Sequence, residues 1–368
     1  MTRQPVLRRF FYPVLPADDL ADSPVPFVLL GQKVVLWRDG DGVARAAEDR
    51  CCHRTAMLSK GWVDGGELVC GYHGWAYDGA GKCTRIPQWK NQDREIRFSI
   101  RAFATRERYG FVWVCLDAAP LADIPDFPEE DDPAFRRIPQ FYETWDCAGL
   151  RIMENSFDNA HFSFVHRNTF GDQGHPEPAS IDIEETAEGF VMRSDAPVVN
   201  PDAQKKILRM DSDRTVRHMT ATWYMPFARK LHIRYPNGLI HAIVTIATPI
   251  DDRRSQICQF VMRNDTEADA KAEDIIAFDR AVTAEDKDIL EATEADVPLD
   301  IRSGDEFHMP SDRPGLLMRK RLLQLLAEAG ESEATDQPGR AGGGPDGAPE
   351  SAPGSAPGGA PGSASAAE

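Results

Sequence analysis

Short runs of β-branched and aromatic residues separated by glycine-containing turns dominate the first third of the chain. From Val25 to Asp49 these runs are broken at Gly31-Gln32 and again at residues 39–42, Asp-Gly-Asp-Gly, which is typical of strands joined by tight turns. The same pattern continues to about Asp117. It predicts an antiparallel β domain over residues 1–117.

The hydrophobic pattern changes after a proline-rich, acidic stretch at 118–140, which we interpret as a linker. In residues 141–330, hydrophobic positions recur with the helical period in some segments and with the strand period in others. Two amphipathic helices are predicted near the end, one over about 268–295 and one at "PGLLMRKRLLQLLAEAG". Before them the chain contains five strand-like segments: "GFVMRS", "TVRHMTATWYM", "KLHIRYP", "LIHAIVTIATP" and "QICQFVMRN". This order predicts an α+β domain in which helices grip an antiparallel sheet.

Composition and charge limit the possible functions. Residues 331–368 are rich in Gly, Ala, Pro and Ser, have little to bury, and are predicted to be disordered. The net charge of −17 argues against nucleic acid or an anionic membrane as the main partner. No apolar run reaches membrane-spanning length, and the N-terminus lacks the apolar core of a signal peptide. With an odd count of 7 cysteines, no disulfide framework is indicated, so we expect a cytoplasmic protein.

Four residues of metal-ligand type lie within one glycine-rich segment: Cys51 and His53, then Cys70 and His73. Each pair follows a strand-like run, so both pairs are predicted at loop tips. A structural zinc site could use two thiolates and two imidazoles, although zinc modules usually contain Cys-x-x-Cys. A [2Fe–2S] cluster in which two cysteines hold one iron and two histidines the other fits the mirrored pairs better. Ordinary packed cysteines with surface histidines remain the third interpretation.

A second group of such residues occurs in "MENSFDNAHFSFVHRN". On a helix, Asp158 and His161 share one face at i, i+3, and Asn155 lies one turn earlier. His161 and His166 are five residues apart, which on an ideal helix places them about 140° from each other. They can bind one metal only if the helix widens or ends between them. A helix with two unrelated histidines is the alternative.

Two imidazoles need a carboxylate to complete the 2-His-1-carboxylate triad of non-heme iron(II) sites. The predicted long helix offers several acids, and its apolar face is defined by Ile275, Phe278, Val282, Ile289 and Leu290. Asp286 lies near the centre of that face, with Asp279 somewhat off it. A carboxylate that faces a core must be paired or bound to metal. Asp286 is therefore the predicted third ligand and Asp279 the reserve.

The first group resembles the ligand boxes of the Rieske family, "CCHR" at 51–54 and "CGYHGW" at 70–75. Cys52 departs from the resemblance, since oxygenase members usually have proline there. Respiratory Rieske proteins carry a further cysteine in each box; here Met57 and Tyr72 lie in those neighbourhoods. The Asp158-x-x-His161-x-x-x-x-His166 spacing also resembles the iron box of Rieske non-heme iron oxygenases. "AEDKDILE" is similar to the segment that carries their third ligand, here at Asp286.

The resemblance covers about residues 10–325 and implies both cofactors and partners. It implies a Rieske β domain followed by a helix-grip domain, a [2Fe–2S] cluster and a mononuclear Fe(II). An NAD(P)H-dependent reductase, with or without a ferredoxin, would supply electrons for the reaction of O2 with a small-molecule substrate. Asp158 would link His161 to His73 of a neighbouring subunit, which implies a homotrimer. Asn155 is predicted either to lie near the iron without binding it or only to cap backbone, and Trp75 is predicted either to shield the cluster or to pack in the core.

Three functions remain open at this point. The compact chain resembles α-only monooxygenases such as vanillate and dicamba demethylases and saxitoxin-pathway hydroxylases, which implies hydroxylation or O- or N-demethylation of an aromatic, polycyclic or alkaloid-like molecule. A cis-dihydroxylating ring dioxygenase is the second interpretation, and a Rieske electron-transfer protein without oxygenase chemistry is the third. Basic residues near the ligand loops form either a docking surface for an acidic ferredoxin or ordinary solvated charges: Lys60, Lys82, Arg85 and Lys90.

Overall fold

The described part of the chain contains three antiparallel sheets and five α-helices. It is a computed structural model, which describes residues 2–90, 95–294, 298–304 and 306–334. Two of the sheets form the N-terminal domain, and the third, with the helices, forms the C-terminal domain. The predicted α+β fold is confirmed.

The N-terminal domain is built on a six-stranded sheet in the order β1-β10-β9-β4-β3-β2. A smaller sheet, β5-β6-β7-β8, lies beside it and carries the second predicted ligand loop. Strand β3 explains how the two pack: Val34 and Leu36 contact one hydrophobic cluster, while Val35 and Trp37 contact another on the opposite face. The strands are β1 Tyr12–Pro16, β2 Val25–Leu29, β3 Gln32–Arg38, β4 Ala44–Glu48, β5 Trp62–Asp64, β6 Glu67–Val69, β7 Ala76–Tyr77, β8 Cys83–Arg85, β9 Ala102–Arg108 and β10 Phe111–Cys115.

The C-terminal domain is a seven-stranded sheet in the order β11-β17-β16-β15-β14-β13-β12, with helices packed against it. All five strands predicted between 189 and 264 are present. The strands are β11 Arg136–Trp145, β12 Ile181–Glu185, β13 Gly189–Val199, β14 Arg214–Tyr224, β15 Ala228–Arg234, β16 Ile240–Pro249 and β17 Ser255–Arg263. The helices are α1 Gly149–Ser156, α2 Phe162–Val165, α3 Asp202–Leu208, α4 Ala272–Leu290 and α5 Arg313–Glu328.

The structure differs from the sequence prediction in several boundaries. Strand β11 begins inside the predicted linker, where it pairs with β17 from Arg136 onwards. Helix α4 is shorter than the predicted 268–295. Its orientation also differs, since Ile289 is 49% exposed and Asp279 is only 7% exposed. Packing against the sheet, rather than the sequence period alone, decides which face of α4 is buried.

Two hydrophobic clusters contain residues of both domains, and backbone hydrogen bonds cross between the domains. Leu30 N donates to Pro249 O over 2.9 Å, and Gly31 N donates to Ile250 O over 2.8 Å. Glu331 and Ser332 also contact the N-terminal segment: Val6 N donates to Glu331 Oε1 over 2.9 Å, and Gln4 Nε2 donates to Ser332 O over 3.2 Å. The rest of the predicted tail, 335–368, lies outside the described residues. None of the described helices combines the length and apolar character that crossing a membrane requires.

Candidate metal centres

Two tight loops present the first predicted group. In the loop after β4, Cys51 N donates to Ala56 O over 2.8 Å and Cys51 O accepts from Thr55 N over 3.0 Å. Between β6 and β7, Cys70 N donates to Trp75 O over 2.8 Å. The two loops come closest at Gly71. A Cβ atom there would lie 2.8 Å from the Lys60 carbonyl oxygen, so the close approach requires glycine. Both loops therefore begin at a cysteine whose backbone is fixed, with the histidine two or three residues later.

The structure brings all four residues together, with the thiols inside and the imidazoles outside. Cys51 and Cys70 are 2% and 0% exposed, whereas His53 is exposed and His73 half-buried, and burial together with the neighbouring Cys51 thiol raises the pKa of Cys70. The two imidazole rings have centroids 4.6 Å apart. Two thiols facing two imidazoles fit a two-iron cluster with unlike ends, because each iron receives one pair of like ligands. A tetrahedral zinc site does not require the thiols to be buried and the imidazoles to be exposed.

Aromatic side chains surround this donor set. Trp75 stacks on His53 with centroids 4.6 Å apart and an interplanar angle of 4°, and Trp75 is only 8% exposed. Tyr77 OH lies 3.1 Å from Cys51 Sγ and 3.4 Å from Cys52 Sγ. Burial, together with the nearby thiols, raises the pKa of Tyr77 well above its ordinary value, so the hydroxyl keeps its proton as a hydrogen-bond donor. Trp75 thus covers one face of the His53 imidazole.

The second group forms because the chain does not continue as one helix. Helix α1 ends at Ser156, and the single-turn helix α2 starts after His161 and ends before His166. The two histidines therefore flank one turn, and their Nε2 atoms lie 3.2 Å apart. Helix α2 thus ends at Val165, between the two histidines, which is one of the two conditions that the spacing required.

Asp286 on α4 completes the group. Its Oδ1 atom lies 3.5 Å from His161 Nε2 and 3.3 Å from His166 Nε2. Three ligands about 2.1 Å from one metal lie about 3.0 to 3.4 Å apart at octahedral or tetrahedral angles. These donor atoms, all within 4.8 Å of one another, therefore fit a single mononuclear metal.

The protonation of these groups suits metal binding. Burial, with the nearby His161 and Arg217, lowers the pKa of His166 to about 3, so its imidazole is neutral at physiological pH. Burial raises the pKa of Asp286, although His161, a hydrogen bond from Asn155 and Arg229 oppose it. Asn155 Nδ2 donates to Asp286 Oδ1 over 3.0 Å. Asn155 therefore touches the carboxylate rather than adding a ligand.

A carboxylate holds the other nitrogen of each imidazole. His161 Nδ1 donates to Asp158 Oδ2 over 3.2 Å, and His166 Nδ1 donates to Glu285 Oε2 over 3.1 Å. Burial opposes ionisation of Asp158, but its hydrogen bonds, chiefly from His161, leave its pKa below the usual value. Both imidazoles thus carry the proton on Nδ1 and direct Nε2 to the metal position. Glu285 was missed in the sequence, where its only signal is its place next to Asp286 on the border of the apolar face.

Asp279, the alternative candidate for the third metal ligand, does not lie with His161, His166 and Asp286. Asp279 is buried, accepts from Gln140 Nε2, and lies 3.4 Å from His241 Nε2. It belongs to a separate polar network in which His241 Nδ1 also accepts from Arg263 over 3.1 Å. His175 and His218, which show no ligand spacing, each pair with an aspartate on the surface.

A cavity opens onto the second group. It lies between the sheet and α4, and His161, His166 and Asp286 all border it. Apolar side chains from three adjacent strands form much of its wall: Met219, Leu231 and Ile243. A metal in this position would therefore face a space that can hold an organic molecule.

Comparison with known protein families agrees with both centres. The Rieske [2Fe-2S] domain family matches residues 10–104. The family described as the vanillate O-demethylase oxygenase C-terminal domain matches residues 145–328, half of the chain. The chain belongs to the Rieske non-heme iron oxygenases. It is therefore an oxidoreductase that uses a [2Fe–2S] cluster and a mononuclear iron, which excludes both the zinc scaffold and the electron carrier.

Individual relatives of this Rieske oxygenase are demethylases. It is 30% identical over 328 residues to methylxanthine N1-demethylase NdmA of Pseudomonas putida, covering 87% of this chain and 89% of the relative. It is 34% identical over 164 residues to the oxygenase component of dicamba O-demethylase of Stenotrophomonas maltophilia, covering 44% and 48%. The structure of NdmA with caffeine superimposes with a TM-score of 0.78 at 29% identity, over 89% of this chain and 94% of that one. Dicamba monooxygenase bound to dicamba shares the fold, with a TM-score of 0.75 at 24% identity over 88% and 98%.

Proposed function

We propose that this Rieske oxygenase demethylates small aromatic or heterocyclic molecules at nitrogen or oxygen. One N- or O-methyl group, one O2, two electrons and two protons would give the demethylated product, formaldehyde and water. The observation that carries this proposal is the three-donor group His161, His166 and Asp286, open to a cavity with an apolar wall. The demethylases among its relatives support the choice of reaction.

We propose that Cys51 and Cys70 hold one iron of the cluster and that His53 and His73 hold the other. Their burial supports this assignment, because the thiols are enclosed while the imidazoles face outward. When bound, the cluster supplies single electrons and the mononuclear iron activates O2.

The other residues of the catalytic domain position ligands and hold protons. Asp158 and Glu285 keep the protons on Nδ1 of His161 and His166, so neither imidazole can turn its other nitrogen toward the metal. Asn155 donates to Asp286 and restrains the carboxylate. The apolar strand residues exclude water from the reacting methyl group.

Electron supply and assembly belong to the same proposal. An NAD(P)H-dependent reductase, directly or through a ferredoxin, would donate to the cluster in the cytoplasm. Asp158 keeps 30% of its side chain exposed although it contacts His161. It could therefore accept a hydrogen bond from His73 of a neighbouring copy in a homotrimer, which would give electrons a route between subunits.

Formaldehyde release tests the proposal. The holoenzyme, a generic reductase, NADH and O2 are incubated with a panel of N- and O-methylated aromatic compounds, and formaldehyde is measured together with product mass. We expect one formaldehyde for each demethylated product. Asp286→Ala should lose turnover and one iron of about three per chain, whereas Asp288→Asn, exposed on the same helix, should keep both. Hydroxylated products without formaldehyde would contradict demethylation.

A further inference from the structure

The cavity beside the metal donors is bordered by a buried cation for which the described residues supply no hydrogen-bonding or acidic partner. Arg217, on β14, borders the cavity and is 6% exposed. Within the part of the chain that the structure describes, its guanidinium makes no hydrogen bond or ion pair, and its buried Nε has no acceptor. Its guanidinium carbon lies 4.1 Å from the centroid of the Phe170 ring. Phe170 in turn packs on His166 with centroids 4.5 Å apart.

Two other buried arginines of the domain, Arg263 and Arg319, are compensated by carboxylates. Arg263 is 0% exposed and bonds Asp265 over 2.6 Å. Arg319 is 4% exposed and bonds both Glu154 and Glu306. A buried charge without a partner costs several kcal/mol. Arg217 is therefore an exception that an anion entering the cavity would relieve.

A buried amide borders the same cavity. Gln204, on α3, is 1% exposed, and neither its Nε2 nor its Oε1 has a partner among the described residues. The amide can donate one hydrogen bond and accept another. Arg217, on a strand, and Gln204, on a helix, thus both present to this cavity hydrogen-bond donors that have no acceptor among the described residues.

The acidic groups at this cavity are already engaged. Asp279 accepts from Gln140, and Asp286 belongs to the metal donors. Arg229 adds a second guanidinium to the wall. A partner for Arg217 must therefore come with the ligand.

We propose that the substrate is an anion, a methylated aromatic or heterocyclic carboxylate, whose carboxylate is bound by Arg217 and hydrogen bonded by Gln204. This inference rests on the proposed demethylation at the same site. A guanidinium offers two parallel N–H donors that match the two oxygens of a carboxylate. A neutral primary amide of the same shape presents one acceptor and an N–H2 group that repels those donors.

Paired probes test the inference. The ortho, meta and para methoxybenzoates are compared with the corresponding primary amides, using the holoenzyme with equilibrium dialysis for binding and formaldehyde for turnover. For the best isomer we expect the acid to bind about 10- to 100-fold more tightly than its amide, the range of a charge-assisted hydrogen-bond pair. Arg217→Met should bring the ratio of acid affinity to amide affinity close to one, and Arg217→Lys should restore part of the preference for the acid. Arg193→Met, an equal charge change at an ion pair on the surface of β13, should leave it unchanged.

The outcomes separate the two proposals. Amides that bind or release formaldehyde as well as the acids would overturn the anionic substrate and leave demethylation standing. Acid preference in binding without formaldehyde from any probe would support the anion site and count against demethylation. An acid preference that persists in folded, cluster-loaded Arg217→Met would overturn the role of Arg217. If that variant does not fold, the wild type still provides a test, because equal binding of acid and amide by the wild type would overturn the proposal.

Discussion

Replacing Glu285 tests whether a carboxylate outside the ligand set controls the mononuclear iron. Its Oε2 atom accepts from His166 Nδ1 over 3.1 Å and from Thr169 Oγ1 over 2.7 Å, and the side chain is 15% exposed. Glu285→Ala removes the acceptor that holds His166 in its metal-binding orientation. Losing such a partner costs about 10- to 100-fold in metal affinity, or about 1.4 to 2.7 kcal/mol. Glu285→Gln keeps an acceptor oxygen without charge, so we expect the lower end of this range.

The assay separates the two iron centres. Cluster-loaded protein is titrated anaerobically with ferrous iron against a competing chelator, while visible absorption reports the cluster. The cluster should be unchanged, because Glu285 lies in the other domain. Asp288→Asn is the matched control, since Asp288 lies on the exposed side of α4 three residues later. Wild-type iron affinity in folded Glu285→Ala would refute the reasoning.

Three further predictions concern electron transfer, stability and docking. Asp158→Ala should load both centres yet lose nearly all turnover, and normal rates of iron reduction in single-turnover experiments would contradict this. Asp265→Asn leaves Arg263 buried beside a neutral amide and should lower the free energy of unfolding, measured by chemical denaturation, by about 3 to 5 kcal/mol. A loss below about 1 kcal/mol would show that the ion pair is not needed for stability. Changing Lys60 and Lys82 to glutamate should raise the apparent KM for an acidic electron donor about tenfold at low salt and less at high salt, whereas an unchanged KM would dismiss this docking surface.

Much of the fold followed from local patterns. The turns around Gly31 and Asp39–Gly42 and the alternating runs between them identify the β2-β3-β4 meander, because turn chemistry and strand period are properties of a few consecutive residues. Strand β11 was missed because proline and acidic residues around it resemble a linker. It becomes a strand by pairing with β17, more than 100 residues away in the chain.

By itself, the sequence determined the kinds of ligand in this protein, since two Cys/His pairs and an Asp-x-x-His box carry their chemistry in their spacing. Asp286 was already the predicted third ligand, and the structure places it, not the reserve Asp279, beside the two histidines. Tertiary structure alone decided which acid holds His166 and which buried arginine has no partner among the described residues. Asp279, Glu285 and Asp286 lie within eight residues of one helix, yet they face a buried network, an imidazole nitrogen and the metal position, respectively. The physical reason is that these roles depend on how α4 is rotated against the sheet, and that rotation is set by the packing of residues distant in the chain.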